Sequence, residues 1–231
     1  MKKLVFWVMI VSLFSCKDEL KEKRLLLEKR QLEALNSGII DIDIVSDFKL
    51  RMTEGEYHKT AKNLVSGGKS FYSKEDKLYY LLTDTKFGTA PFQVETTFYD
   101  DTLRKVELTC HSAYLNQSGS GFTGSIIDLQ PFIATEFVKK YGSQPDRLYA
   151  KGEGTMVFSD FWMHGNLVVE VNEHMEASYS WISITYTDAE IDRRRSSFKY
   201  NSPDDKGIVR MFSKDYQSRF YKHDIKPKTD L

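Results

Sequence analysis

The segment FQVETTFYDDTLRKVELTCHSAY, residues 92–114, decides the fold. Apolar and polar residues alternate with period two on both sides of Asp100-Asp101-Thr102. That period is the signature of a half-buried strand, and two aspartates followed by threonine favour a tight turn. The reading is an antiparallel hairpin with strands at Phe92–Tyr99 and Leu103–Tyr114. Alternation puts Val106, Leu108 and Cys110 on one face and His111 on the other. Cys110 and His111 are therefore badly placed to act as nucleophile and base for each other. Cys110 reads instead as a buried, inert thiol.

Working outward, the same pattern recurs with helices between. Ile39 to Val45 alternates as a strand, with Asp41 and Asp43 on one face. A pair of acids on one strand reads as a solvated face, because a glycosidase pair usually comes from different elements. Thr53-x-x-Glu56 is a capping box, which predicts a helix from Glu54 to about Val65 with Tyr57, Ala61 and Leu64 inward. Ser66-Gly67-Gly68 stops it. A strand follows at Phe71–Thr83, open to a break at the polar Ser73–Lys77 stretch. Beyond the central hairpin, Asn116 to Gly124 is a polar loop rich in glycine and serine. A second helix is predicted with Asp128 as N-cap and Pro131 in its first turn, ending at Tyr141-Gly142. Phe132, Ile133, Phe137 and Val138 form its stripe. Strands are predicted at Thr155–Met163, Asn166–Glu173 and Ser178–Tyr186, with a turn at His164-Gly165. Thr187-x-x-Glu190 reads as another capping box, opening a helix to about Phe198. The fold class is α+β: antiparallel sheet with helices on one face. The order of a helix plus three strands occurs twice, which reads either as two repeats or as a coincidence of order.

The chain has 231 residues, with 33 basic and 33 acidic side chains and 13% aromatics. A zero balance argues against a general nucleic-acid binder, which needs excess positive charge. The composition suits a packed, β-rich body. Two cysteines cannot make a disulfide framework.

The N-terminus addresses the protein. Met1-Lys2-Lys3 is a basic start, and Leu4 to Leu13 is an uncharged, mostly apolar run too short to span a bilayer. Leu13-Phe14-Ser15-Cys16 follows. This resembles the lipobox of bacterial lipoproteins, although Phe14 stands where a small residue is usual. The resemblance implies cleavage before Cys16 and acylation of its sulfur and amine. Cleavage removes Lys2 and Lys3, leaving 31 bases against 33 acids. Lys17-Asp18-Glu19 resembles the Lys-acid-acid export signal of Bacteroidota lipoproteins, and reads equally as the start of a charged helix. Asp101-Thr102-Leu103 resembles the O-glycosylation sequon of the same envelopes, with Thr102 as acceptor in an exposed turn. The element order is similar to that of the helix-plus-meander lipoproteins of the BamE type and of the β-lactamase-inhibitor protein.

The expected organisation is a signal peptide at 1–15, an anchor and charged helical stalk at 16–38, a globular domain at 39–200 with halves at 39–124 and 125–200, and a C-terminal extension at 201–231. In the extension, Phe212, Tyr216 and Phe220 fall at helical spacing.

Catalytic motifs do not assemble. Gly119-x-Gly121-x-x-Gly124 has the dinucleotide spacing, but the next helix starts too late to meet a pyrophosphate. Gly68-Lys69-Ser70 lacks the first glycine of a P-loop and precedes a strand. Ser66-x-x-Lys69 falls at a helix end without its partner motifs. No two of the five histidines have metal-binding helical spacing. Arg193-Arg194-Arg195 reads as a solvated helix face. No cofactor and no metal are expected.

These features point to an outer-membrane lipoprotein held in the bilayer by its acyl chains. Its expected role is non-catalytic binding of a protein or ligand through the sheet face and a loop containing Asn116, Gln117 and Phe122. Two other classes stay open. One is an immunity or inhibitor lipoprotein. The other is a glycan or peptide hydrolase whose acids come from distant strands.

Overall fold

The computed structural model describes residues 26, 29–84, 87–112, 122–142, 146–151, 155–176, 179–191 and 208–210. Helix α1 (Glu54–Ser66) precedes four strands: β1 (Ser70–Tyr72), β2 (Leu78–Asp84), β3 (Gly88–Tyr99) and β4 (Thr102–His111). Helix α2 (Ile126–Tyr141) precedes four more: β5 (Asp146–Lys151), β6 (Thr155–His164), β7 (Leu167–Glu176) and β8 (Ser180–Asp188). A last short strand, β9 (Ile208–Arg210), lies in the C-terminal extension. All nine form one sheet in the order β1-β2-β3-β4-β8-β7-β6-β5-β9, and every pairing is antiparallel. The protein is α+β, with its helices packed on the sheet.

Each half is a helix followed by a four-strand meander, one strand more than the sequence pattern predicts. In the first half the extra strand comes from the Ser73–Lys77 turn, which splits one long run into β1 and β2. Asp76 takes a positive φ there, and the Ser73 amide donates to the Lys77 carbonyl. In the second half it is β5, whose DRLYAK sequence is short and alternates weakly. The two halves meet where the last strand of each, β4 and β8, pair from Lys105↔Thr187 to His111↔Trp181.

The hairpin that opened the sequence reading is β3–β4. Asp100 and Asp101 both have positive φ, as a two-residue hairpin turn requires. A bulge between Thr97 and Phe98 leaves Arg104 as the extra residue of β4. Helix α1 has the predicted capping box, and Tyr57, Ala61 and Leu64 are its buried residues. Helix α2 begins earlier than predicted. Ser125 is its N-cap, and Asp128 is the third helical residue, whose carboxylate accepts from the Ser125 amide. Pro131 therefore sits in the second turn rather than the first. Gly142 closes the helix in the left-handed conformation, as expected.

One face of the sheet carries the core. Val106, Leu108 and Cys110 on β4 lie opposite Tyr186, Ile184 and Ile182 on β8. Both helices pack there: Tyr57 of α1 sits against Phe98, and Phe137 of α2 against Tyr186 and Trp162. Burial pushes the Cys110 thiol up to about 12, so it is protonated and inert, as alternation implied.

The largest departure from the sequence reading is at residues 39–52. Alternation predicted a strand at Ile39–Val45. The structure shows an irregular strap with a single bridge, Asp43↔Lys49. Its isoleucines do not share a face: Ile40 is 64% exposed while Ile44 is buried with Phe48 and Leu50. Phe48 stacks on Tyr57 of α1, and the Lys140 ammonium of α2 donates to the Asp43 and Ile44 carbonyls, so the strap touches both helices.

The strap is fixed to the sheet by polar bonds that converge on the buried Asp188 and Asn166. The Asp41 amide donates to Asn166 Oδ1 at 2.7 Å. Arg51 Nε donates to Asp188 Oδ2 at 2.6 Å, and Asn166 Nδ2 donates to the same oxygen at 2.8 Å. Asp188 Oδ1 accepts from the Glu190 and Ile191 amides, so Asp188, not Thr187, caps the helical turn that starts at 189. Gly165, in the two-residue turn between β6 and β7, has φ +59°, and a Cβ there would lie 2.2 Å from the Ile39 carbonyl oxygen. Only glycine lets the strap pass this close.

Asp188 is fully buried, so its charge depends on Arg51. Removing one partner of a buried ion pair leaves an uncompensated charge and costs about 3–5 kcal/mol. Arg51→Met is expected to lose stability in that range, measured by urea unfolding. Asp188→Asn in the same chain should recover part of the loss, because the amide keeps a cap acceptor without the charge.

Candidate binding face

Helices α1 and α2 and the strap pack on one face of the sheet. Alternate residues of β3, β4, β6, β7 and β8 point to the other. Strand register aligns these into rows. One row runs Gln93, Thr109, Ser183, Asn172, Ser159 across β3, β4, β8, β7 and β6. Next to it runs Glu95, Glu107, Thr185, Glu170, Phe161. On the other side lie His111, Trp181 and His174.

Along β8 this face is a furrow. Its floor is Ser183 and Thr185, which are 3% and 8% exposed although they lie on the face opposite α1 and α2. They are small residues set between longer ones. Thr109, Glu107 and Lys105 form one wall on β4, and Asn172, Glu170 and Val168 form the other on β7. One end is closed by rings. His174 lies parallel on Trp181, with centroids 4.4 Å apart and 6° between the planes. Tyr179 packs on Trp181 at 5.3 Å, stacks on His111 and shares a hydrogen bond with His111 Nδ1.

The polar groups on the walls are linked. Ser159 Oγ donates to Asn172 Oδ1, and Asn172 in turn hydrogen-bonds Glu170. Lys105 Nζ donates to Glu107 Oε2 at 2.8 Å and acts electrostatically on Glu170. Gln93 Nε2 donates to Glu95 Oε1 at 2.8 Å. Burial raises the Glu170 carboxyl above its ordinary value, with the Asn172 hydrogen bond pulling the other way. Burial lowers both imidazoles. For His111 the opposing charge is Glu95, and Lys77 adds to the lowering. For His174 the opposing charges are Glu107 and Glu176, and His111 adds to the lowering.

The expectation of distant acids meets one pair here. Glu107 and Glu170 face each other across Thr185, two strand spacings or about 10 Å apart at the backbone. The Lys105 ammonium on Glu107 makes this an ion cluster rather than the open pair that flanks a glycosidic bond. Among the described residues there is no group of three or more His, Cys, Asp or Glu arranged to hold a metal ion. No described helix is long and apolar enough to cross a membrane.

The residues singled out from sequence are scattered. Cys16, Asn116 and Gln117 lie outside the described residues, as do Gly119 and Gly121, the arginine run and the three spaced aromatics of the extension. Phe122 packs against Phe87 with centroids 6.0 Å apart and joins the core, which takes its ring inward. Thr102 opens β4 beside the hairpin turn, with its hydroxyl donating to the Asp100 carbonyl. Asp41 contacts His164 Nδ1 at 3.1 Å, a residue 123 positions away, and belongs to the strap's anchorage. Sequence reasoning missed the His111–Trp181–His174 row. Alternation puts each of the three outward, but only the register between β4, β8 and β7 brings them together.

No family model, no curated protein and no solved structure matches this chain.

The lowered imidazoles set a pH dependence with a definite sign. Where the folded value lies below the unfolded one, the unfolded chain binds more protons as pH falls through the ordinary value near 6.5, so stability is lost on acidification. Proton NMR titration is expected to place both His111 and His174 below 6.5. The His111→Gln/His174→Gln variant should lose less stability between pH 7 and pH 5 than the parent chain does. Glu170 works in the opposite sense at pH values above about 4.5, where the folded chain holds its proton longer.

Proposed function

We propose that the protein is a non-catalytic cell-envelope lipoprotein, anchored through acyl chains on Cys16, that binds a protein partner on the open face of its sheet. The observation that carries the reading is the furrow along β8. Its floor, both walls and the rings at its end come from three strands of both halves and lie on the face away from α1 and α2. A sheet face carrying polar, hydrogen-bonded side chains beside a cluster of rings has the make-up of a recognition surface. The basic start, short apolar run and cysteine of residues 1–16 support the envelope address and the outer membrane as its site. Two or more acyl chains suffice for stable attachment. An inhibitor or immunity lipoprotein is the same arrangement with an enzyme as the partner.

Two measurements in one strain test this. Palmitate labelling is expected to mark the parent chain and to vanish in Cys16→Ala. A photo-cross-linking residue at Thr109 or Thr187, on the furrow, should give an adduct with a second protein. The same residue at Lys139, exposed on α2, should not. Label that survives Cys16→Ala would overturn the anchor. Adducts formed only from Lys139 would overturn the face.

A further inference from the structure

The strand directions set the route of residues 192–207, which lie outside the described residues. β8 ends at Asp188, and β9 begins at Ile208, four places further along the sheet order. Four antiparallel steps make these two strands parallel, so the chain between them has to return from one end of the sheet to the other. Asp188 is level with His164 on β6, and Ile208 is level with Met156, eight residues away on the same strand. The straight distance is about 33 Å, made up of about 19 Å across four strand spacings and about 27 Å along the strands. From Ile191 to Ile208 the chain reaches about 56 Å at full extension. A path around the outside of β9 would use nearly all of that length, so the short route lies over a face of the sheet.

Handedness selects the face. β4 and β5 are also parallel and four places apart, and the chain between them carries α2 over the core face. That connection crosses the sheet in the same direction as the one from β8 to β9, but β4 and β8 point opposite ways. Two such crossovers have the same hand only when they lie on opposite faces. Crossovers between parallel strands of one sheet are right-handed in about 98% of cases. The connection from β8 to β9 therefore belongs on the face away from α2.

The side chains on that face agree. On β3 and β4 it carries Gln93, Glu95, Thr109 and Glu107. On β6 it carries Val157, Phe161 and Met163, with Val168 of β7 opposite Met163. All four apolar side chains are only part-exposed although they lie opposite α1 and α2. β6 is also the middle strand of the five from β8 to β9. Residues 192–207 are mostly polar, and their two aromatic residues, Phe198 and Tyr200, fall at the middle of the segment.

We infer that residues 192–207 cross the open face over β7, β6 and β5 and seat Phe198 and Tyr200 on the apolar strip of Val157, Phe161 and Met163. Burying apolar surface of the strip and the two rings against each other is what holds the segment there. This holds whether or not Cys16 is acylated, and it leaves β3, β4 and β8 as the part of the face that a partner can use.

The test uses the full-length protein in detergent, with a photo-cross-linking residue at Phe161 or, in a second version, at Glu136 on the exposed side of α2. Digestion and mass spectrometry identify the joined peptides. The expected result is an intrachain adduct from Phe161 to residues 196–206 and none from Glu136 to that segment. Phe198→Ser/Tyr200→Ser should abolish the Phe161 adduct and keep the circular dichroism of the parent, because α1, α2 and the core are untouched. An adduct from Glu136 to the segment would overturn the inference by placing the crossover on the helix face. No intrachain adduct from either position would overturn it by sending the chain around β9. So would an adduct from Phe161 to a second protein or to residues 211–231, or a Phe161 adduct that survives the double substitution. The Thr109 cross-link to a partner is read separately, so the binding face stands or falls on its own result.

Discussion

The Asp188 carboxylate is the point on which the architecture turns. It is fully buried at the end of β8, where an unpaired charge would be intolerable. Four groups answer it: the Arg51 guanidinium, the Asn166 amide and the backbone amides of Glu190 and Ile191. They come from three different places in the chain. Satisfying one carboxylate therefore sets the path of the strap, the β6–β7 turn, the end of β8 and the start of the helical turn after it. The ion pair need not be worth much in itself. Its effect is to make every alternative placement of the strap leave a buried charge without a partner.

From that anchorage follows the sidedness of the sheet. The strap brings Ile44, Phe48 and Leu50 into the core formed by α1, α2 and the seam strands. Two helices alone would have to cover a sheet nine strands wide. The strap stacks on α1 through Phe48 and is held by α2 through Lys140, and so it joins the two halves on the apolar face. Over β3 and β4 the opposite face is left to polar residues. There the same β4–β8 seam puts small side chains in the middle of the sheet and long ones beside them. The core face and the furrow are two sides of one pairing register, and a slip by one residue would exchange them.

Local signals in the sequence were legible, and long-range ones were not. The Thr53 capping box, the Asp100-Asp101 turn, the Gly142 cap and the outward placement of His111 all follow from residues close in sequence. The errors share a cause. Ile39–Val45 alternates like a strand, yet Asn166, 125 residues away, binds the Asp41 amide that a ladder would have used. Thr187-x-x-Glu190 has the spacing of a capping box, yet the neighbouring Asp188 is better placed once Arg51 neutralises it. Ser125 outcompeted Asp128 as a cap because both ends of a capping box can lie one turn earlier than the first proline suggests. The candidate site was half legible. The alternation gave its face, while its composition came from a register between halves that local pattern cannot supply.

The open face also carries a feature that sheet stability alone would disfavour. Three carboxylates stand in one row across β3, β4 and β7, two of them directly opposite, on a face where threonine would pair better. Glu170 is the costly member, since burial already disfavours its charge. A sequence selected only for folding would relieve that cost with a neutral residue, as it does at Thr185 and Ser183 in the same rows. Real proteins depart from such local rules at functional sites and compensate elsewhere. Here the compensation is visible, in the Lys105 contact and the Asn172–Ser159 pair that hold the acids in place.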